Sequence, residues 1–240
     1  MNKRVKTLIL VVCALVLVVS GVFATLAYLN DTTDEVVNAI SVGDVEISMD
    51  EYRVSYNEYY EETVHINEDR VKLNNYNLIP GVTYTKDPTI HVDKTSEPAY
   101  VFVKLYNGIE RAETAVEGKG TIAQQMAALG WVELKTTNFA EGVLTQDYAG
   151  VFVYNGAKCD GSNKYIVNAK KTGADVDLVV FEKFAIDSSL DYGSGNPDLK
   201  DFQGETIKLK AFAIQALGGV TLDTAAAQAN AALVFEADQD

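Results

Sequence analysis

The residues able to do chemistry in this chain are few: two histidines, His65 and His91, two cysteines, Cys13 and Cys159, and clusters of acidic and amide side chains in polar stretches. Zinc hydrolysis requires ligands at a defined spacing, and neither histidine has a ligating neighbour at such a spacing. His65 stands in Thr63-Val64-His65-Ile66 and reads as an exposed strand residue, while His91 alternates with Ile90 and Val92 and so falls on the side facing solvent. The chain contains no His-Glu-x-x-His, no paired cysteines, no Gly-x-Ser-x-Gly and no glycine loop suited to cradling phosphate. It therefore reads as a non-enzyme, with no catalytic residue and no cofactor-binding residue. The one metal chemistry within reach is calcium: Asp187, Asp191, Asn196, Asp198 and Asp201 supply oxygen ligands in one region, and Asp160-Gly161-Ser162-Asn163 forms a second group. Neither follows the ligand spacing of an EF-hand loop, and solvated turn residues are the preferred reading of both.

The cysteines restrict the redox chemistry further. Cys13 lies inside an apolar run near the N-terminus, and Cys159 sits in the loop-like Ala157-Lys158-Cys159-Asp160-Gly161-Ser162. Loss of the N-terminal run would leave a single thiol and no intramolecular disulfide, so the chain must be held together by an apolar core. The formal charge is −14, and removing Lys3, Arg4 and Lys6 with a leader takes it to −17. An acidic surface of this size argues against nucleic acid as a partner, because that affinity rests on neutralising phosphates with Lys and Arg. It suits solubility and mutual repulsion outside the cell.

The elements that must position these residues start with that N-terminal run. Asn2-Lys3-Arg4-Val5-Lys6 is basic, Leu8 to Leu29 is apolar apart from Ser20, Gly21 and Thr25, and Asn30 to Glu35 is abruptly polar and acidic. This is the layout of a secretory signal over residues 1–27, with cleavage between Ala27 and Tyr28 favoured by the small residues of Thr25-Leu26-Ala27. The run is also long enough to cross a bilayer, at roughly 20 apolar residues, so an uncleaved leader is the competing reading and the sole membrane contact foreseen. Residues 28–41 then form an N-terminal arm, and 42–240 a single domain.

Within that domain, alternation predicts strands at Val42–Met49 and over Tyr52, Val54 and Tyr56, the two pairing around Asp50-Glu51. Glu58 to Asp69 reads as irregular. Leu78-Ile79-Pro80-Gly81 is a turn, since Pro presets one central φ and Gly accepts the positive φ of the next. Ala99 to Tyr106 is apolar on both faces and belongs in the middle of a covered sheet. Glu110 to Gly120 reads as a linker. Thr121 can cap a helix over about 121–129 with Ile122, Met126 and Leu129 on one face and Gly130 as its stop. Further strands are expected at Val151–Tyr154, Tyr165–Val167, Leu178–Ile186 and Ile207–Ala216, and an alanine-rich helix over about 224–233 capped by Asp223 or Thr224. Short strands and Gly/Asn/Asp turns with two helices point to a mainly β fold, an antiparallel β-sandwich with helical insertions and a short C-terminal helix.

Several stretches resemble one family. Thr25-Leu26-Ala27-Tyr28-Leu29-Asn30-Asp31 followed by Asn38-Ala39-Ile40-Ser41-Val42-Gly43-Asp44-Val45-Glu46-Ile47, the Pro80-Gly81 turn leading to Thr85-Lys86-Asp87-Pro88, the Ala99-Tyr100-Val101 strand with Val103-Lys104, and the closing Ile207 to Ala216 are similar to the TasA/camelysin family of Gram-positive bacteria. The resemblance implies a jelly-roll form of the sandwich, export with a signal processed by a SipW-type peptidase, and a role in extracellular biofilm fibres. It also implies self-association, with Tyr28, Leu29, Val36, Val37 and Ile40 as anchors of a donor segment and sibling matrix proteins as further partners. A camelysin-type member is described as a metalloprotease, and no motif in this chain carries that activity over. The competing reading outside the family is a monomeric, adhesin-like surface module.

Overall fold

Two apolar faces on one strand organise the molecule. The computed structural model describes residues 45–57, 61–66, 68–161, 164–190 and 198–235, all within one unit, Ala39–Asp240. The leader and the arm expected over 1–27 and 28–41, including Ala27, Tyr28, Leu29, Val36, Val37 and Ile40, lie outside the described residues. The strands are β1 (Ile47–Asp50), β2 (Arg53–Tyr56), β3 (Glu62–His65), β4 (Thr83–Thr85), β5 (Thr89–Val92), β6 (Ala99–Asn107), β7 (Glu113–Thr114), β8 (Trp131–Glu133), β9 (Val151–Tyr154), β10 (Ile166–Val167), β11 (Val176–Val179), β12 (Lys183–Ile186) and β13 (Ile207–Gln215). The helices are α1 (Ile122–Ala128), α2 (Ala169–Thr172) and α3 (Leu222–Ala232), with short 3₁₀ turns at Glu110–Ala112, Thr136–Asn138 and Leu199–Phe202.

The fold is a mainly β, antiparallel sandwich with helical insertions. β6 runs through its largest sheet, pairing with β13 from Ala99↔Gln215 to Asn107↔Ile207 along one edge and with β10 and β9 end to end along the other. Val101, Val103 and Ala213 face inward toward Ile90 and Val92 of the β1-β5-β11 sheet and Tyr84, Phe184 and Ile186 of the β4-β12-β7 sheet. Tyr100, Phe102, Phe212 and Ile214 face the opposite way and are covered by Leu222, Ala225, Ala226 and Ala229 of α3. Alanines on α3 let its backbone approach the sheet closely while the bulk comes from the strands, an interdigitation that close packing requires.

Local chemistry fixes the helices. The Thr121 side chain accepts from the Gln124 N–H and the Gln124 side chain accepts from the Thr121 N–H, a reciprocal cap at the start of α1. Gly130, at φ +96°, stops the helix where an added Cβ would lie 2.3 Å from the Gly156 Cα. Gln125, 4% exposed, fastens α1 to the sandwich: its Nε2 donates to the carbonyls of Gly120 and Lys183, and its Oε1 accepts from the N–H groups of Glu182 and Lys183. α3 is capped by Thr221 rather than by Asp223 or Thr224, and Thr224 supplies the reciprocal bond. Asp223 is instead spent on the Thr145 N–H and hydroxyl.

Four other expectations are corrected. β2 does not turn back on β1 around Asp50-Glu51; it pairs with β3, inside the stretch read as irregular, while β1 pairs with β5. The cause is Glu51, whose backbone bridges to Val71 in both directions and whose side chain turns into the protein. The Glu110 to Gly120 linker contains β7, which completes the β4-β12-β7 sheet. Leu178 to Ile186 is not one strand: β11 pairs with β5, the chain crosses at buried Val180 and Phe181, and β12 pairs with β4 in another sheet. An unbroken apolar run hides such a crossing, because a strand changing sheets keeps both ends buried.

Candidate functional site

Two features of the sandwich could carry function, a sheet edge and a charged cluster, and a cavity lies beside them. The edge belongs to β13. Among the described residues its nine-residue backbone pairs only with β6, and β1 packs close to it without pairing. Ile207 to Ala211 is half-buried throughout, with Lys208 and Lys210 placed among Ile207, Leu209 and Ala211. Lysines on a strand edge are a common guard against unwanted pairing. Here Lys210 Nζ donates to the Val234 carbonyl at 3.0 Å, and Lys208 lies over the Tyr106 ring.

The charged cluster forms where β1, β5 and β11 meet the segment that follows β3. His91, in the central strand, stands directly across from Ser48 of β1 and Asp177 of β11. Its Nδ1 lies 2.7 Å from Asp177 Oδ1 and its Nε2 lies 2.9 Å from Asp50 Oδ1. Asp50 is also held by the Arg70 Nε, and Arg70 Nη2 donates to Asp87 Oδ2 at 3.0 Å and to the Asp50 and Asp87 carbonyls. The Arg70 guanidinium sits 4.1 Å above the Tyr52 ring, whose backbone N–H donates to Asp87 Oδ1. Burial alone would lower the His91 pKa, but the hydrogen bonds to Asp50 and Asp177 outweigh it and the net direction is upward. Arg70 follows the same logic: desolvation opposes its charge, and Asp50 and Asp87 more than restore it.

Deeper in the sandwich, Lys86 Nζ donates to Glu51 Oε2 at 2.6 Å, with the side chains 9% and 4% exposed. The second Glu51 oxygen accepts the Asn74 N–H, and Asn74 in turn accepts from the Val54 N–H and donates to the Tyr52 carbonyl. A buried pair needs its remaining hydrogen-bonding sites used: both Glu51 oxygens are occupied, and the Lys86 ammonium also lies 5.7 Å from the centre of the Tyr76 ring. Tyr56, Tyr76, Tyr84 and Phe184 pack around it as edge-on and stacked rings at centroid distances of 5.0 to 6.4 Å. Desolvation, with Glu62 near Tyr56 and Glu51 near Tyr76, drives both phenols well above their ordinary pKa, so they stay neutral. A cavity of about 530 Å³ opens next to them, lined by Asn74, Tyr76, Lys86, Phe184, Phe202 and Gln203 among others.

The residues weighed in the sequence are dispersed. His65 faces Ser55 Oγ and Glu68 Oε1, each at 2.8 Å, on the outer side of the β2–β3 hairpin. Asp187 accepts the Ser189 N–H, Asp198 accepts the Lys200 N–H, and Asp201 accepts the Asp198 N–H, so these carboxylates serve local turns; Asp191 and Asn196 lie outside the described residues. Asp160 pairs with Lys171. Cys159 is half-buried, bridges to Val167 and points its thiol toward the Tyr154 carbonyl; burial pushes its pKa up, which makes it a poor nucleophile. The two ring nitrogens of His91 face different carboxylates, and among the described residues no group of three His, Cys, Asp or Glu side chains converges on a metal position. The cluster of Asp50, Arg70, Asp87, His91 and Asp177 was not foreseen. Its one local signal in the sequence is Asp87, a carboxylate four residues before His91 in the segment that leads into β5.

Comparison with family models, curated proteins and solved structures returned no match.

Proposed function

We propose that this chain is a non-enzymatic, exported structural subunit of a biofilm matrix or cell-surface fibre, assembled by β-strand addition once the leader over residues 1–27 is removed. The observation that supports it is the nine-residue β13, paired along one edge only among the described residues. Strand addition uses such an edge: main-chain hydrogen bonds give affinity, and alternate side chains give register. The arm at 28–41, with Tyr28, Leu29, Val36, Val37 and Ile40 as apolar anchors, is the donor, and its acceptor is another copy of the chain. The basic, apolar and acidic succession of the first 35 residues supports export, and the resemblance to TasA-type proteins supports the fibre.

The test compares the Tyr28-to-Asp240 form with one lacking residues 28–40 by sedimentation and electron microscopy. Filaments from the first and monomers from the second are expected, with a synthetic 28–40 peptide inhibiting growth. Monomers from both at high concentration would sink the reading. A second reading, a monomeric adhesin-like module, draws on the cavity of about 530 Å³, whose lining includes the aromatic Tyr76, Phe184 and Phe202 and the amides Asn74, Asn75, Asn77 and Gln203; persistent monomers that bind a glycan array would favour it.

A further inference from the structure

The position of His91 is unusual in what it demands of the imidazole. Both ring nitrogens lie within 3 Å of carboxylate oxygens, Asp177 Oδ1 on one side and Asp50 Oδ1 on the other. An ionised carboxylate only accepts, and a neutral imidazole has one N–H to give. Both contacts are therefore hydrogen bonds only when His91 carries two protons. His65 provides the contrast, since its partners are one carboxylate and one hydroxyl that can donate to the ring, so its neutral form leaves no nitrogen without a match.

The placement gives that proton a mechanical consequence. His91 is in β5, the middle strand of a three-stranded sheet, while Asp50 closes β1 and Asp177 lies in β11. The ring bridges all three strands on their outer face, over and above the backbone ladders. The charged groups facing it are Asp50 from β1 and Asp177 from β11, and behind Asp50 stands Arg70, itself shared with Asp87. When the ring loses a proton, one carboxylate must face a nitrogen lone pair instead of an N–H. Asp50 keeps Arg70, and Asp177, 63% exposed, turns to water.

We infer that His91 is a pH-operated fastener of the β1-β5-β11 sheet, which in its charged form bridges both outer strands to β5 and in its neutral form releases one of them. Because Asp50 keeps Arg70, the strand the neutral ring lets go is β11, which carries Asp177. The inference stands on the three-strand geometry and does not depend on fibre formation.

The direction of the effect follows from linkage. A histidine with a raised folded-state pKa adds stability that is fully present below its unfolded pKa of about 6.5 and is lost as pH rises through the folded value. The experiment uses the full chain, kept in mild detergent to hold its apolar leader in solution. Imidazole nitrogen NMR is expected to show His91 keeping both ring protons to higher pH in the wild type than in Asp177→Asn or Asp50→Asn. The wild-type Tm is expected to exceed that of His91→Gln by about 2–4 °C below pH 6, with the gap closing toward pH 9. A neutral His91 at pH 6, or a gap unchanged from pH 5 to pH 9, would overturn the inference. If His91→Gln does not fold, the same comparison is made with Asp177→Asn, whose exposed side chain bears little packing.

Discussion

β6 and the β1-β5-β11 sheet are both antiparallel and both central, yet they are held by different physics. Around β6 the stabilising surface is apolar on both sides: Val101 and Val103 against the facing sheets, Tyr100 and Phe102 against β13 and α3. β5 is apolar only toward the interior, and its outer face is tied by His91, Asp50, Asp177 and Arg70. The first arrangement is indifferent to pH and salt and fails by losing volume. The second responds to protonation and fails by leaving a charge without its partner. One sandwich thus has a rigid half and a conditional half, and the conditional half includes β1, the first strand among the described residues.

The difference is broken most sharply in the rigid half. Phe102→Ala, at a fully buried position, is expected to cost about 3–5 kcal/mol in urea unfolding, with little change between pH 5 and pH 9. Beneath the charged half, Glu51→Ala or Lys86→Ala alone is also expected to cost about 3–5 kcal/mol by stranding the other charge, whereas Glu51→Leu with Lys86→Met is expected to restore most of it. A double-mutant cycle that returned simple additivity would mean the pair is not coupled. Gly130→Ala sharpens the contrast from another side, since it tests backbone geometry: a positive φ and contact with Gly156 are expected to cost about 1–3 kcal/mol, read as a lowered Tm. The smallest effect is expected from Thr121→Ala, roughly 1 kcal/mol from the lost cap, again read by urea unfolding and the same at every pH where the fold holds.

Legibility in the sequence tracks the same division. Ala99 to Tyr106 was readable as a central, doubly covered strand because Lys104 is its one charged residue and both alternating faces are otherwise apolar, and burial of both faces is what that pattern encodes. Helix α1 was readable from Thr121, Ile122, Met126 and Gly130, since caps, periodicity and stop all lie within ten residues. The pairing of β2 with β3 was misread because the signal that decides it, Glu51 turning inward to Lys86, lies 35 residues away. The break between β11 and β12 was invisible because Val180 and Phe181 are as apolar as the strands they join.

The amino-acid sequence alone determined the class of fold, the apolar stripe of each long strand, the capped helix α1 and the place of α3, the acidic charge, and the succession of basic, apolar and acidic residues at the start. All of these depend on neighbours within a turn or a strand's length, where periodicity and local hydrogen bonding act. Tertiary structure decided which strands pair, that β13 pairs along one edge only among the described residues, and that His91 meets Asp177 from 86 residues away. A charged side chain on an alternating strand reads as solvated until another strand brings it a partner, and only the folded chain brings Asp50, Arg70 and Asp177 to this one.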